Sequence, residues 1–258
     1  MSLTHDPTWN TDRNGCRRLM LERLILQMVL AFALLGAGSS VSAGSTADSA
    51  AGMSLQEQLK LLLAQKPERA SEPRFLVRLA DVYLDLGDDV SLETSKRRAA
   101  YEEGERAARQ AIELQEQNAD AHYLYAANLG GAAQLTGLMA SAWTVQDLRQ
   151  HVDRALGLNR NHAPALHMKG MMLEELPWFL GGDADGALTY LRRAVAADPD
   201  DAHARLDLAK AYIKRKDPDA ARKELDVILK QPLRSDASVS NRRHGEEAQQ
   251  LHHSLRGC

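Results

Sequence analysis

From about residue 75 to residue 230 the apolar positions recur at spacings of three and four, the period of helices packed on one face. The clearest unit is the last, "AHARLDLAKAYIKRKDPDAARKELDVIL", residues 202–229. Ala209 and Tyr212 lie three apart on one predicted helix; Ala221, Leu225 and Ile228 follow on the next. Small residues let two helices approach, and large ones fill the space between them. Pro218 opens the second helix, where its missing N–H costs nothing.

The same pattern recurs upstream. Gly170 and Leu173 are followed by Ala187, Leu191 and Ala194; Ala126 and Leu129 by Leu148, Val152 and Ala155; Ala80 and Tyr83 by Gly104, Ala108 and Ala111. From the end of each unit to the start of the next the step is always 15 residues: 111 to 126, 155 to 170, 194 to 209. Within the units the step shrinks from 24 to 22, 17 and 12. Every insertion therefore falls between the first and second helix of a hairpin, on one rim of a stack. The prediction is an all-α, tetratricopeptide-like solenoid of four hairpins. Two capping helices complete it. One starts after Ser54, with Glu57 at capping-box spacing; the other carries Ala248, Leu251 and Leu255 on one stripe. The first insertion reads as a lengthened helix capped by Ser91 and running without a breaker to Asn118.

Composition agrees with helix: β-branched residues are scarce and aromatics make up 5% of the chain. Residues 1–43 read as a signal peptide. Arg17, Arg18 and Arg23 precede the apolar run 24–38 and a small-residue cleavage site after Ala43. An uncleaved inner-membrane anchor is the alternative. Residues 44–53 read as a disordered linker and 54–256 as one domain. Cleavage leaves Cys258 as the single cysteine, so no internal disulfide supports the fold. No dense basic stripe marks a nucleic-acid surface.

The stretches "YLYAANLGG" (123–131), 151–201 with its "LPWFLGGDADGAL" element, and 208–229 resemble the TRAP-transporter T-component family. The microtubule-associated mitochondrial relatives of this repeat pattern match less well. The resemblance implies a periplasmic, non-enzymatic accessory of a tripartite transporter, with a substrate-binding protein as partner. "LLGAGSS" lacks the cysteine of a lipid anchor, so the resemblance implies a free periplasmic protein.

No catalytic constellation emerges. Glu174 and Glu175 are adjacent and diverge on a helix. His151, His162, His167, His252 and His253 do not converge at ligand spacing, so neither metal nor cofactor is expected. "DADG" (183–186) lacks the distal ligands of a calcium loop, and Asp183 reads as a helix cap. A binding face is the expectation instead. Counting along each first helix gives Val77, Tyr123, His167 and Leu206, then Asp81, Ala127, Met171 and Lys210. Of these, Tyr123, Ala127, His167, Met171, Leu206 and Lys210, joined by Trp178, are the candidates for a partly apolar groove taking a small ligand. The alternative is a scaffold that docks proteins and holds no small molecule. Trp178, Phe179 and Leu180 must bury somewhere, because one such side chain is worth roughly 1.5–3 kcal/mol when buried. They either plug the gap beside "GAAQLTGLMASAW" (131–143), or Trp178 closes a pocket running toward Tyr123 and Met171.

Overall fold

The structure, a computed structural model, describes residues 53–137, 142–230 and 239–255. The expected signal segment 1–43, most of the linker and Cys258 lie outside these residues. Among the described residues ten α-helices follow one another: α1 (Leu55–Arg69), α2 (Pro73–Asp88), α3 (Thr94–Leu114), α4 (Ala119–Thr136), α5 (Ala142–Leu158), α6 (Ala163–Glu175), α7 (Ala184–Ala197), α8 (Ala202–Lys214), α9 (Pro218–Lys230) and α10 (Val239–Ser254). A 3-10 turn, Trp178–Leu180, joins α6 to α7. No strand occurs among the described residues.

Helices α2/α3, α4/α5, α6/α7 and α8/α9 pack as hairpins, and α2, α4, α6 and α8 lie side by side. Helix α1 covers α2 at one end, while α10 covers α8 and α9 at the other. The expected four-hairpin solenoid with two caps is therefore the fold. Its small anchors do the work their size implies: Ala80, Ala108, Ala126, Ala155, Ala187, Ala209 and Ala221 are wholly buried. At Gly170 even a methyl group would stand 2.8 Å from the Leu191 side chain. Volume at these positions would force the helices apart.

Local chemistry sets the helix starts. Ser54 and Glu57 form the reciprocal capping box, and Asn118 and Asp201 accept amide bonds at the heads of α4 and α8. Helix α3 is the longest described helix at 21 residues, so the first insertion is absorbed as helix. Its expected cap needs correction. The helix begins at Thr94, and Ser91 donates its hydroxyl and amide to the Asp89 carboxylate. That acidic partner lies two residues back and outcompetes the helix end for the hydroxyl.

The second correction concerns the third insertion. Helix α6 ends as expected, with Leu176 extended before Pro177. Gly181 turns the chain at φ 85, and Asp183 caps α7 by accepting from the amides of Asp185 and Gly186. The aromatics do not pack. Trp178 is 84% and Phe179 67% exposed, and their rings touch each other edge to face. Polar backbone bonds hold the turn instead. The Asp183 amide donates to the Leu173 carbonyl at 2.8 Å, and the Arg149 guanidinium donates to the Leu180 carbonyl. Both expected burials fail for Trp178. Residues 138–141 of the supposed partner segment lie outside the described residues, and Trp143 at its end is itself exposed.

Candidate functional site

The first helices present two chemically distinct walls. Helix α2 carries Asp81, Asp85 and Asp88 at i, i+4 and i+7, one stripe of a helix. Burial pushes Asp81 up to about 6, aided by the Asp120 charge and tempered by Arg78. Burial pushes Asp85 up to about 7, aided by Asp81. Asp88 is also raised by burial, although it accepts a hydrogen bond from the Tyr101 hydroxyl at 2.5 Å. Tyr123 on α4 is half-buried. Its hydroxyl is held un-ionised by burial and by the Asp81, Asp88, Asp201 and Asp85 charges. An acidic column thus runs along α2, and the Tyr123 hydroxyl lies within its field.

The second wall centres on Asp207. This buried carboxylate on α8 faces His167 Nε2 from α6 at 2.9 Å, and His203 Nε2, one turn back on α8, at 3.3 Å. Lys210 Nζ approaches its other oxygen at 3.3 Å and Glu247 of α10 at 3.0 Å. Burial opposes charge on Asp207, His167, His203 and Lys210. At Asp207 the His203, His167 and Lys210 charges win, so its pKa falls below the ordinary carboxylate range. Burial opposes a charge on His167, but the Asp207 hydrogen bond raises its pKa. At His203 burial prevails and the pKa falls well below the ordinary value. His244 of α10 is 1% exposed and stacks on the His203 ring at 4.5 Å. Burial pushes it down to about 4, and among the described residues neither of its ring nitrogens has a hydrogen-bond partner.

A second histidine pair joins α4 to α5. His122 Nε2 faces the Glu116 carbonyl at 2.9 Å, and that oxygen can only accept. In neutral His122 the Nδ1 is therefore the acceptor, taking the proton of His151 Nδ1 at 2.9 Å. Both contacted nitrogens of His122 are satisfied.

The predicted groove residues divide accordingly. His167 and Lys210 meet through Asp207. Tyr123 borders the acidic column, its ring 5.3 Å from that of His162. Ala127 is buried in the core of the first two hairpins, and Met171 and Leu206 in the core of the last two. Trp178 stands exposed on the rim. The apolar candidates thus fill the interfaces between helices, because the anchor positions beside them draw the backbones too close for an open channel. A cleft of about 250 Å³ between α1, α2 and α3 is lined by residues such as Lys66, Tyr83 and Arg106, and by none of the candidates. Sequence reasoning passed over His203, Asp207 and His244 and did not select Asp81. The i, i+4 pairs His203/Asp207 and Asp81/Asp85 were the available signal.

Stacked hairpins with polar side chains gathered on their first helices define a tetratricopeptide-type solenoid. Residues 179–238 match the tetratricopeptide repeat, and residues 45–175 match the family of regulator of microtubule dynamics protein 1-3. The chain belongs to that family. It is 29% identical over 159 residues to regulator of microtubule dynamics protein 1 of Bos taurus, covering 55% of this chain and 50% of that one. With regulator of microtubule dynamics protein 3 of Bos taurus it shares 27% over 173 residues, 61% of this chain and 36% of the relative. The chain spans about half the length, or less, of these curated relatives. A thermophilic tetratricopeptide-repeat protein of Thermus thermophilus has the same fold (TM-score 0.56, 17% identity, covering 76% of this chain and 91% of that one).

These relatives overturn the transporter T-component assignment. With it go the periplasmic location, the export signal and the inner-membrane anchor that served it, and the substrate-binding protein as partner. The reason is physical. The small–aromatic spacing is common to hairpin stacks generally. The "LPWFLGGD" element is a proline stop, a left-handed glycine and an aspartate cap, a turn any such hairpin can use. Among the described residues no helix is long and apolar enough to cross a membrane.

Proposed function

We propose that the chain is a non-catalytic docking scaffold whose first-helix face receives a Lys- or Arg-bearing segment of a protein partner. The observation that carries this reading is the column Asp81, Asp85 and Asp88. Three carboxylates on one helical stripe hold raised pKa values, first because burial disfavours their charge and then because each feels a neighbouring carboxylate. A basic segment supplies cations and returns the acids to their ionised state. Tyr123 borders the column and offers a hydroxyl. The relatives' names point to partners within the microtubule system. The apolar small-ligand reading loses its support where Ala127, Met171 and Leu206 are core residues.

The test is fluorescence anisotropy with a labelled Lys/Arg-rich peptide and its Glu-substituted counterpart. The basic peptide binds preferentially, binding weakens with salt, and Asp81→Asn with Asp85→Asn lowers affinity about tenfold. Equal binding of the two peptides, or an unchanged affinity in the double variant, overturns the reading.

A further inference from the structure

The Asp207 cluster has a composition that docking does not use. His203 and Asp207 are four apart on α8, so they project from one face, and His167 of α6 meets them there. One nitrogen from each histidine and one Asp207 oxygen all lie within 4.8 Å of one another, and all three residues are buried. Ligand atoms around a tetrahedral Zn2+ stand roughly 3.3 Å apart, given metal–ligand bonds of about 2 Å. The 2.9 Å and 3.3 Å separations to Asp207 Oδ2 already lie just below and at that value. Lys210 holds the opposite oxygen of the carboxylate, so its ammonium orients Asp207 without taking the ligand position.

His244 supplies the independent observation. It is almost wholly buried, and among the described residues both ring nitrogens lack a partner. Leaving such a group unsatisfied forfeits its solvation without replacement, and native interiors rarely tolerate it. The ring lies flat on His203, 10° from parallel, beside the three clustered groups. A side-chain rotation that turns its edge out of the stack brings a nitrogen toward them.

We propose that His167, His203 and Asp207 form a binding site for a divalent transition metal of the zinc type, with His244 as fourth ligand. Three imidazoles and one carboxylate are a borderline donor set that suits Zn2+ and Co2+ over Mg2+ or Ca2+. The ligands come from α6, α8 and α10, so the metal clamps the C-terminal cap onto the last two hairpins. The role is structural and does not depend on the peptide-docking reading, since its readout involves no peptide.

The test is titration of the full chain, stripped with chelator, with Co2+ and Zn2+. The expected result is a single equivalent of Co2+ giving the visible absorption of a tetrahedral nitrogen/oxygen site, displaced by Zn2+, with a rise in Tm that follows metal concentration. Asp207→Asn and His203→Gln abolish the spectrum. His244→Phe keeps the stack on His203 and weakens binding about tenfold to a hundredfold. Absence of saturable binding to the unmodified chain overturns the proposal. So does stoichiometric binding that survives both ligand variants, which would place the metal elsewhere, for instance at His252 and His253. Should those variants fail to fold, X-ray absorption of the Zn2+-loaded unmodified chain decides. Imidazole scattering from two or three histidines supports the site, and a shell without imidazole overturns it.

Discussion

Helices α2 and α4 are joined in one way, α6 and α8 in another. At the first junction Tyr101 of α3 lies where two glycines make room. A methyl group at Gly87 or Gly131 would stand 2.3 or 2.4 Å from its ring. Its hydroxyl donates to Asp88, and Arg97 Nε donates to the Gly87 carbonyl at 2.7 Å. Beside it Asn128 donates to the carbonyls of Ala80 and Leu124, and a methyl at Gly104 would meet its side chain at 2.1 Å. At the second junction charge does the joining. His167 meets Asp207, while Glu174 and Glu175 reach Lys214 and Arg215 at 2.7 Å. The two adjacent glutamates, expected to diverge, meet instead at the Lys214 ammonium, with Glu174 also holding Arg215 just past the end of α8. One fold thus tolerates shape matching at one end and buried charge pairing at the other. Each junction is largely local to its neighbours in a solenoid, so neither choice constrains the other.

The largest blow to this contrast is Asp207→Ala. Removing one partner of a buried charged network leaves the others unpaired, and stability should fall by about 3–5 kcal/mol. Hydrogen exchange should show protection lost in α6, α8 and α10 while α2 to α4 keep theirs. Uniform loss along the chain would mean that the junctions are not independent.

Gly131→Ala attacks the other junction by steric means. Tyr101 is confined from both sides and tethered by its hydroxyl, so the added methyl should cost about 2–3 kcal/mol. Exchange protection should drop first in α2, α3 and α4. A change below 0.5 kcal/mol, roughly the surface-substitution range, would show that the ring moves freely.

A smaller effect of opposite sign is expected at Asp85. Its folded pKa of about 7 lies above the ordinary 3.8, so between those values the folded chain holds a proton that the unfolded chain has lost. The stability from this group is complete below pH 3.8 and is lost as pH rises through 7. Asp85→Asn, which cannot ionise, should therefore raise stability at pH 8 by about 1–2 kcal/mol and change little at pH 4. Thermal melts at the two pH values check this; equal shifts at both would rule out a titration origin.

Trp178→Ala should do least. The ring is 84% exposed and the turn is held by backbone bonds, so stability should stay within about 0.5 kcal/mol of the parent. A loss of several kcal/mol in chemical denaturation would restore the plug reading and remove the contrast between a backbone-held rim and side-chain-held junctions.

The hairpins, their order and the rim bearing the insertions were legible in the sequence. Helix period and the constant 15-residue step are local, repeated properties, and small anchors such as Ala80, Ala126 and Ala209 have one physical use. The stops at Pro177, Gly181 and Asp183 were legible for the same reason: each acts on its own backbone. What required the tertiary structure was every pairing across helices. His167 and Asp207 are 40 residues apart, and His244 comes from a capping helix whose docking angle no local pattern specifies. Nor could the sequence tell that Met171 and Leu206 seal an interface while Trp178 stands in water. Helical spacing assigns a residue to a face, but whether that face meets a neighbour or solvent depends on how the hairpins stack.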